Sequence, residues 1–299
     1  MQPTLLKKKK SVDKNLLFCL AVVIIPVIQF IIFYVIVNFN SFLLAFQKVT
    51  ENYGEKTYSF SLDNFRRLWL DLTETTNLIG ALKNTLLTWF LTSIMGSTLA
   101  VIFSFYIYKK GWMSKTFRLI LFLPTILPAL LLGAIFQIFA DSIIPELFDM
   151  NPLFVLGEGT AFPAALFFTI WFSFGMQILI YNGSMEQIEP SVMEAAKLDG
   201  ASPVVELWFI VLPAIIPAIG TFLITGVATM FTNQVNLFGF HSSAALNYEG
   251  EYTIGYWMYT MTVKSESDYP YISAVGLCCT MIALPLTWVV RKLVSKVGD

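Results

Sequence analysis

Six stretches of about 20 apolar residues each, enough for a helix to cross the hydrocarbon core of a bilayer, dominate this sequence. They lie near 16–37, 84–108, 118–140, 162–182, 213–235 and 272–290. Arg118, at the edge of the third, is the only Asp, Glu, Lys or Arg inside them. A large soluble helical core would need a polar face recurring at helical spacing, and these stretches show none. They predict an all-α integral membrane protein with six transmembrane helices.

The composition agrees. Of the 299 residues, 56% are hydrophobic and 13% charged. Soluble domains carry about 25% charged residues. The net charge of −1 gives no nucleic-acid surface. Cys19, Cys278 and Cys279 fall within the spans, without disulfide or zinc spacing, and read as small apolar packing residues. His241, the only histidine, is expected on a solvated outer loop, so no metal site is expected. Lys7 to Lys10 and Lys14 precede the first span in the manner of a signal peptide. The apolar run is too long for that, and no small-x-small cleavage site follows, so it is read as an uncleaved first helix.

Lys and Arg collect on the cytoplasmic side of short loops. The N-terminal lysines, Lys109, Lys110, Lys115 and Arg118, and Arg291, Lys292 and Lys296 fall on one side of a six-helix chain. Both termini are therefore expected in the cytoplasm. Parity places segment 183–212 there too. The outer loops run near 38–83, 141–161 and 236–271. With no internal repeat or linker, residues 1–299 form one expected membrane domain.

Segment 183–212 is polar and helix-forming, set between two apolar spans. Ser191-x-x-Glu194 is spaced as a capping box after Pro190, predicting a short helix from Val192 to Asp199. Gly200 suits the left-handed turn that ends it. Ser202-Pro203 reads as a second N-cap with proline at the first helical position. The predicted unit is helix, sharp turn, helix. Ala195 and Ala196 keep it slim, and Val192, Met193 and Leu198 offer apolar anchors. A helix lying on the membrane surface is usually rich in Lys and Arg, and this one has only Lys197.

The pattern Glu194-Ala195-Ala196, then Gly200, then after nine residues Ile210-Val211-Leu212-Pro213, resembles the signature loop of bacterial ATP-binding-cassette importer permeases. The continuation Asp199-Gly200-Ala201 is similar to the carbohydrate-importing branch. So are Phe117 to Pro124 with Leu127-Pro128, Asn64 to Trp69 with Asn84-Thr85, and Thr253 to Tyr259. The resemblance runs from about residue 60 onward. It implies the importer permease fold, with a cytoplasmic coupling element that grips a motor subunit through Met193, Glu194, Ala195, Ala196, Leu198, Asp199 and Gly200. It also implies a bacterial plasma membrane location and a second, related permease chain. A pair of cytoplasmic ATPase subunits and an extracytoplasmic sugar-binding protein complete the implied complex. Two departures stand out. Glu206-Leu207-Trp208-Phe209 occupies a place where relatives often carry a basic residue, and 236–252 lacks their glycine-rich run.

A transport path needs polar groups inside the bundle, because polar side chains facing lipid are unfavourable. Gln137, Trp171, Ser173, Gln177, Thr232, Asn233, Gln234 and Asn236 are candidates. Amides exchange hydrogen bonds with hydroxyls, and aromatic rings cover the apolar faces of a pyranose. Gln137, Trp171, Gln177, Asn233 and Asn236 are taken as the path. Asn233 and Asn236 share a face if the fifth helix runs that far. The same amides also serve as interhelical hydrogen bonds, each worth about 1 kcal/mol or less. The spans contain no carboxylate, so proton or sodium coupling lacks its usual group. No G-x-x-x-x-G-K-[ST] loop exists, so ATP hydrolysis falls to a partner, and neither a catalytic constellation nor a cofactor is expected. The expected role is the permease subunit of an ATP-driven carbohydrate importer. Its alternatives are a permease of the same machinery for a non-sugar solute, and a secondary carrier or channel working alone.

Overall fold

The computed structural model describes residues 14–52, 55–74, 76–241, 247–248 and 250–298. The lysines at 7–10 lie outside them. Six helical segments are long and apolar enough to cross a membrane: Val22–Ala45, Leu78–Tyr108, Ala129–Phe148, Ala161–Met185, Pro203–His241 and Glu266–Lys296. They are referred to in order as the first to sixth spans. Large apolar side chains such as Ile25, Phe33, Leu130, Phe167 and Met281 are exposed on their outer faces. In water that surface would be strongly unfavourable; in lipid it is the expected exterior.

Hydroxyls inside the spans are mostly satisfied by their own helix. Thr85, Thr169, Thr225 and Thr229 each donate to the carbonyl four residues back at 2.7–2.9 Å. This back-bonding lets a hydroxyl sit at membrane depth without an orphaned donor.

The fourth span is the central post. Its first half joins an apolar cluster with Leu237, Tyr256 and Tyr271. Its second half joins another with Val101, Met193, Val211 and Ile215. The second and fifth spans both pack against it, and the sixth packs along the fifth.

Several boundaries differ from the sequence reading. The first helix continues to Ala45, with a π-helical turn at Ile31–Ile36. The third apolar stretch is two helices, α2 (Ser114–Ile126) and Ala129–Ile138. Pro128 divides them. It has no N–H for a ladder bond and pushes Leu127 into extended conformation, φ −82°, ψ 145°. The fifth span does not run as a helix to 235. Regular α-helix stops at Thr229, a 3-10 turn covers Met230–Thr232, and Asn233 is extended.

The segment between the first and second spans is structured. An antiparallel hairpin, β1 (Gln47–Asn52) and β2 (Glu55–Phe60), adds a small sheet to the otherwise helical fold. It leads into helix α1 (Asp63–Glu74). Lys48 bonds Asp63 at 2.8 Å and, with the Ser61 hydroxyl, holds that carboxyl below the usual carboxylate range. His241 is not a solvated loop residue. It ends the short helix Leu237–His241, half-buried against Phe154, with Nε2 buried and unpartnered among the described residues. The missed signal was its apolar flank, Leu237-Phe238-Gly239-Phe240.

Candidate functional site: a helix-turn-helix and a polar cleft

Helix α3 (Pro190–Leu198) and α4 (Pro203–Glu206), which opens the fifth span, form the helix-turn-helix. The capping box does not form. Pro190 takes the first helical position, which makes Glu189 the N-cap and moves Ser191 inside the helix. The Ser191 hydroxyl instead donates to the Glu189 carboxylate at 3.2 Å. The other end follows the sequence closely. Gly200 has φ +75°. The Ala201 N–H donates to the Ala196 carbonyl at 2.9 Å, and the Gly200 N–H to Lys197 at 3.1 Å. These two bonds are a Schellman stop. Ser202 then caps α4, accepting from the Val205 N–H at 3.4 Å.

Helix α3 has two faces. Met193 and Ala196 are buried, and Met193 packs in the cluster with Tyr181, Met185 and Val211. Met193 is thus an anchor to its own chain, since its position on the helix turns it inward. Val192, Glu194, Ala195, Lys197, Leu198, Asp199 and Gly200 are exposed, and Leu198 is 89% exposed. An apolar side chain so open at the tip of a polar, well-anchored helix is a candidate contact.

Glu206, which the sequence marked as a departure, is 2% exposed and paired with Lys109, the residue that caps the helix ending at Tyr108. A buried carboxylate needs such a partner. The pairing spans 97 residues of sequence and is invisible to local pattern reading.

A cleft of about 200 Å³ lies between the second, fourth and fifth spans. Each wall is a stripe with a repeat of four. The second span gives Trp89, Ser93 and Ser97, the fourth Thr169, Ser173 and Gln177, and the fifth Thr225, Thr229 and Asn233. Within a helix, residues four apart lie on one face, and Asn233 joins the fifth-span stripe from the extended residue that follows the 3-10 turn. The second span carries a π-helical turn, Leu91–Gly96, at the cleft, and Thr92 joins the lining there. Among the described residues, the Trp89 Nε1 donor and the Gln177 Oε1 acceptor are buried without a hydrogen-bond partner. No charged side chain lines this cleft among the described residues.

Of the five path residues, Gln177 and Asn233 lie on this cleft. Trp171 faces an apolar hollow with Phe136 and Phe167, tilted against the Phe136 ring and edge-on to Phe168. Gln137 is half-buried on the third span and does not line the cleft. Asn236 does not share a helix face with Asn233. It sits in a turn at φ +56°, its carbonyl accepting from Gly239 at 2.9 Å. Asn233 itself is pinned. Its Oδ1 accepts from the Val235 N–H at 2.9 Å, and its carbonyl accepts from the Thr253 hydroxyl at 2.6 Å. Thr253 caps helix α5 (Ile254–Lys264), which fixes the end of the fifth span against the next element. Ser93, Ser97, Thr169, Thr225 and Thr229 lie outside the sequence expectation, although their spacing of four, shared with Ser173, is a local signal.

A bundle of this kind, lipid-facing outside, with a polar cleft inside and an exposed helix-turn-helix at one end, defines a multi-pass permease-like membrane protein. Residues 93–298 match the family described as binding-protein-dependent transport system inner membrane component, and the chain belongs to that family. It is 29% identical over 150 residues to the polygalacturonan/rhamnogalacturonan transport system permease protein YteP of Bacillus subtilis (strain 168). That match takes in 49% of this chain and 45% of YteP, so the chain spans about half the length of that relative. It is 24% identical over 269 residues to the multiple sugar-binding transport system permease protein MsmF of Streptococcus mutans serotype c (strain ATCC 700610 / UA159), covering 87% of this chain and 89% of MsmF. The fold is shared with a solved bacterial alginate ABC transporter in complex with an alginate pentasaccharide-bound periplasmic protein. There the TM-score is 0.75 at 19% identity, covering 94% of this chain and 96% of that one.

Proposed function

We propose that the chain, as one membrane domain, is a permease subunit of an ATP-driven importer that takes up a carbohydrate delivered by an extracytoplasmic binding protein. The observation that carries the reading is the cleft with its unpartnered indole donor and amide acceptor, Trp89 Nε1 and Gln177 Oε1. A sugar hydroxyl both donates and accepts, so it answers both groups. A polyamine would need carboxylates, and the lining contains none among the described residues. The name of YteP gives polygalacturonan and rhamnogalacturonan, and that of MsmF multiple sugars, which supports a carbohydrate.

In this reading Gln177 and Asn233 belong to the substrate path, and the exposed residues of α3 dock on a cytoplasmic ATPase of a pair. A second permease chain, related but different, completes the path. Gln137, Trp171 and Asn236 act as structural neighbours. Both termini and segment 183–212 are cytoplasmic.

Two experiments test the reading. In the reconstituted complex, Gln177→Leu removes a hydrogen-bond acceptor and is expected to weaken uptake several-fold, on the order of 1 kcal/mol, with assembly retained. Unchanged uptake and unchanged sugar preference in both Gln177→Leu and Asn233→Ala would place the path elsewhere. For orientation, single cysteines at 197 and 296 are expected to react with an impermeant thiol reagent only after permeabilisation, and one at 250 in whole cells. Labelling of position 197 from outside would overturn the docking reading.

A further inference from the structure

The cleft and the helix-turn-helix are joined by a feature that neither uses directly. The second span, which brings Trp89, Ser93 and Ser97 to one wall, ends at Tyr108, and Lys109 caps it. The fifth span, which brings Thr225, Thr229 and Asn233 to another wall, begins with α4, and Glu206 is the last residue of α4. Lys109 and Glu206 form an ion pair, with Glu206 almost wholly enclosed. The Phe105 ring lies 5.9 Å from the Lys109 ammonium, and Tyr108 neighbours both charges. The pair therefore clamps together the near ends of two helices whose far parts face each other across the cleft.

Its position relative to the turn matters as much. Asp199 to Ser202 separate the docking helix from α4, and the Schellman stop and the Ser202 cap fix that corner. Displacement of α3 reaches Glu206 through one short capped turn. Immediately after Glu206 comes a π-helical segment, Leu207–Val211, before regular helix resumes at Leu212. A π turn has a looser hydrogen-bond ladder and is a common point of adjustment. Without the clamp, a push on α3 could be absorbed in that segment. With it, the push is delivered to the second span at the same moment.

We propose that the Lys109–Glu206 pair is a positioning strut that transmits movement of the helix-turn-helix to both walls of the cleft at once. It rests on the coupling reading of α3 given above. Neither residue touches substrate. The strut sets how much transport each cycle of ATP hydrolysis yields, not whether the cleft binds sugar.

The test uses the whole reconstituted complex with its partner permease, ATPase and binding protein. The readout is radiolabelled sugar moved per ATP hydrolysed, in complexes matched for assembly. Glu206→Gln keeps the shape and removes the charge; Lys109→Met removes the other partner. Each is expected to lower the sugar-to-ATP ratio at least tenfold. The exchanged pair, Lys109→Glu with Glu206→Lys, is expected to recover part of the ratio. A merely structural role would lower the yield of assembled complex and leave the ratio unchanged in what assembles, and that result overturns the strut. A cysteine cross-link between position 198 and the ATPase, run on the same variants, separates the two ideas. Its presence with an unchanged ratio rejects the strut alone, and its absence in the wild-type complex rejects the coupling reading beneath it.

Discussion

Gly200→Val is expected to abolish transport and substrate-stimulated ATP hydrolysis in the assembled complex, while the chain still inserts in the membrane. Gly200 sits at φ +75°, where a β-branched residue is poorly tolerated. Nothing lies within 4 Å of the Cβ that valine would add, so the penalty is conformational, about 1–2 kcal/mol for the left-handed region, and more for a β-branched side chain. The chain can relieve it only by unmaking the Schellman stop, which re-aims α3 relative to α4. The exposed Leu198 then leaves its place, while the buried core around Tyr181 and Ile215 is untouched. Gly200→Asn is the control, because asparagine visits the left-handed region readily, and it is expected to retain most activity. Normal coupling in Gly200→Val would mean that the turn does not set the docking geometry.

Gly255→Val is the second large effect, and it acts through packing. A Cβ at 255 would lie 2.6 Å from the Thr232 carbonyl carbon and 2.7 Å from the Asn233 oxygen. Those are backbone atoms and cannot rotate away. The clash falls where the fifth span leaves its helix and where the Thr253 hydroxyl holds Asn233. Overpacking of this kind destabilises by about 1–3 kcal/mol. The expected result is a lower melting temperature of the purified complex together with loss of uptake, because Asn233 is displaced from the cleft. Gly276→Ala, with open space at its Cβ, serves as the comparison and is expected to behave as wild type. A stable, active Gly255→Val complex would show that the 230–236 turn can move without consequence.

The architecture was readable wherever one segment decides its own fate. Six long apolar stretches, charged only by Arg118 at one edge, have no stable alternative to helices in lipid, so their number follows from hydropathy alone. Gly200 and Ser202-Pro203 were readable for the same reason, since backbone conformation and a local cap decide them. Ser191 was misread because two local signals compete there, and proline at the first helical position moved the N-cap two residues back, to Glu189. Asn236 was misread because the 3-10 turn after Thr229 depends on Thr253 and Gly255, twenty residues on, which no helical period encodes. Met193 looked like a contact for a partner and proved to be an anchor, since apolar character alone does not say which body it packs against. Glu206 looked anomalous until its partner on another span appeared.

In the proposed function, the exposed tip of α3 meets a cytoplasmic ATPase. The most direct measurement is site-directed cross-linking in native membranes, with Leu198→Cys as the single cysteine placed on the tip in a chain otherwise free of cysteine. The expected result is a cross-linked product containing this chain and the ATPase subunit, lost when the ATPase is absent. The same cysteine forming no product with the ATPase in an active complex, or reacting in intact cells with an impermeant reagent, would contradict it.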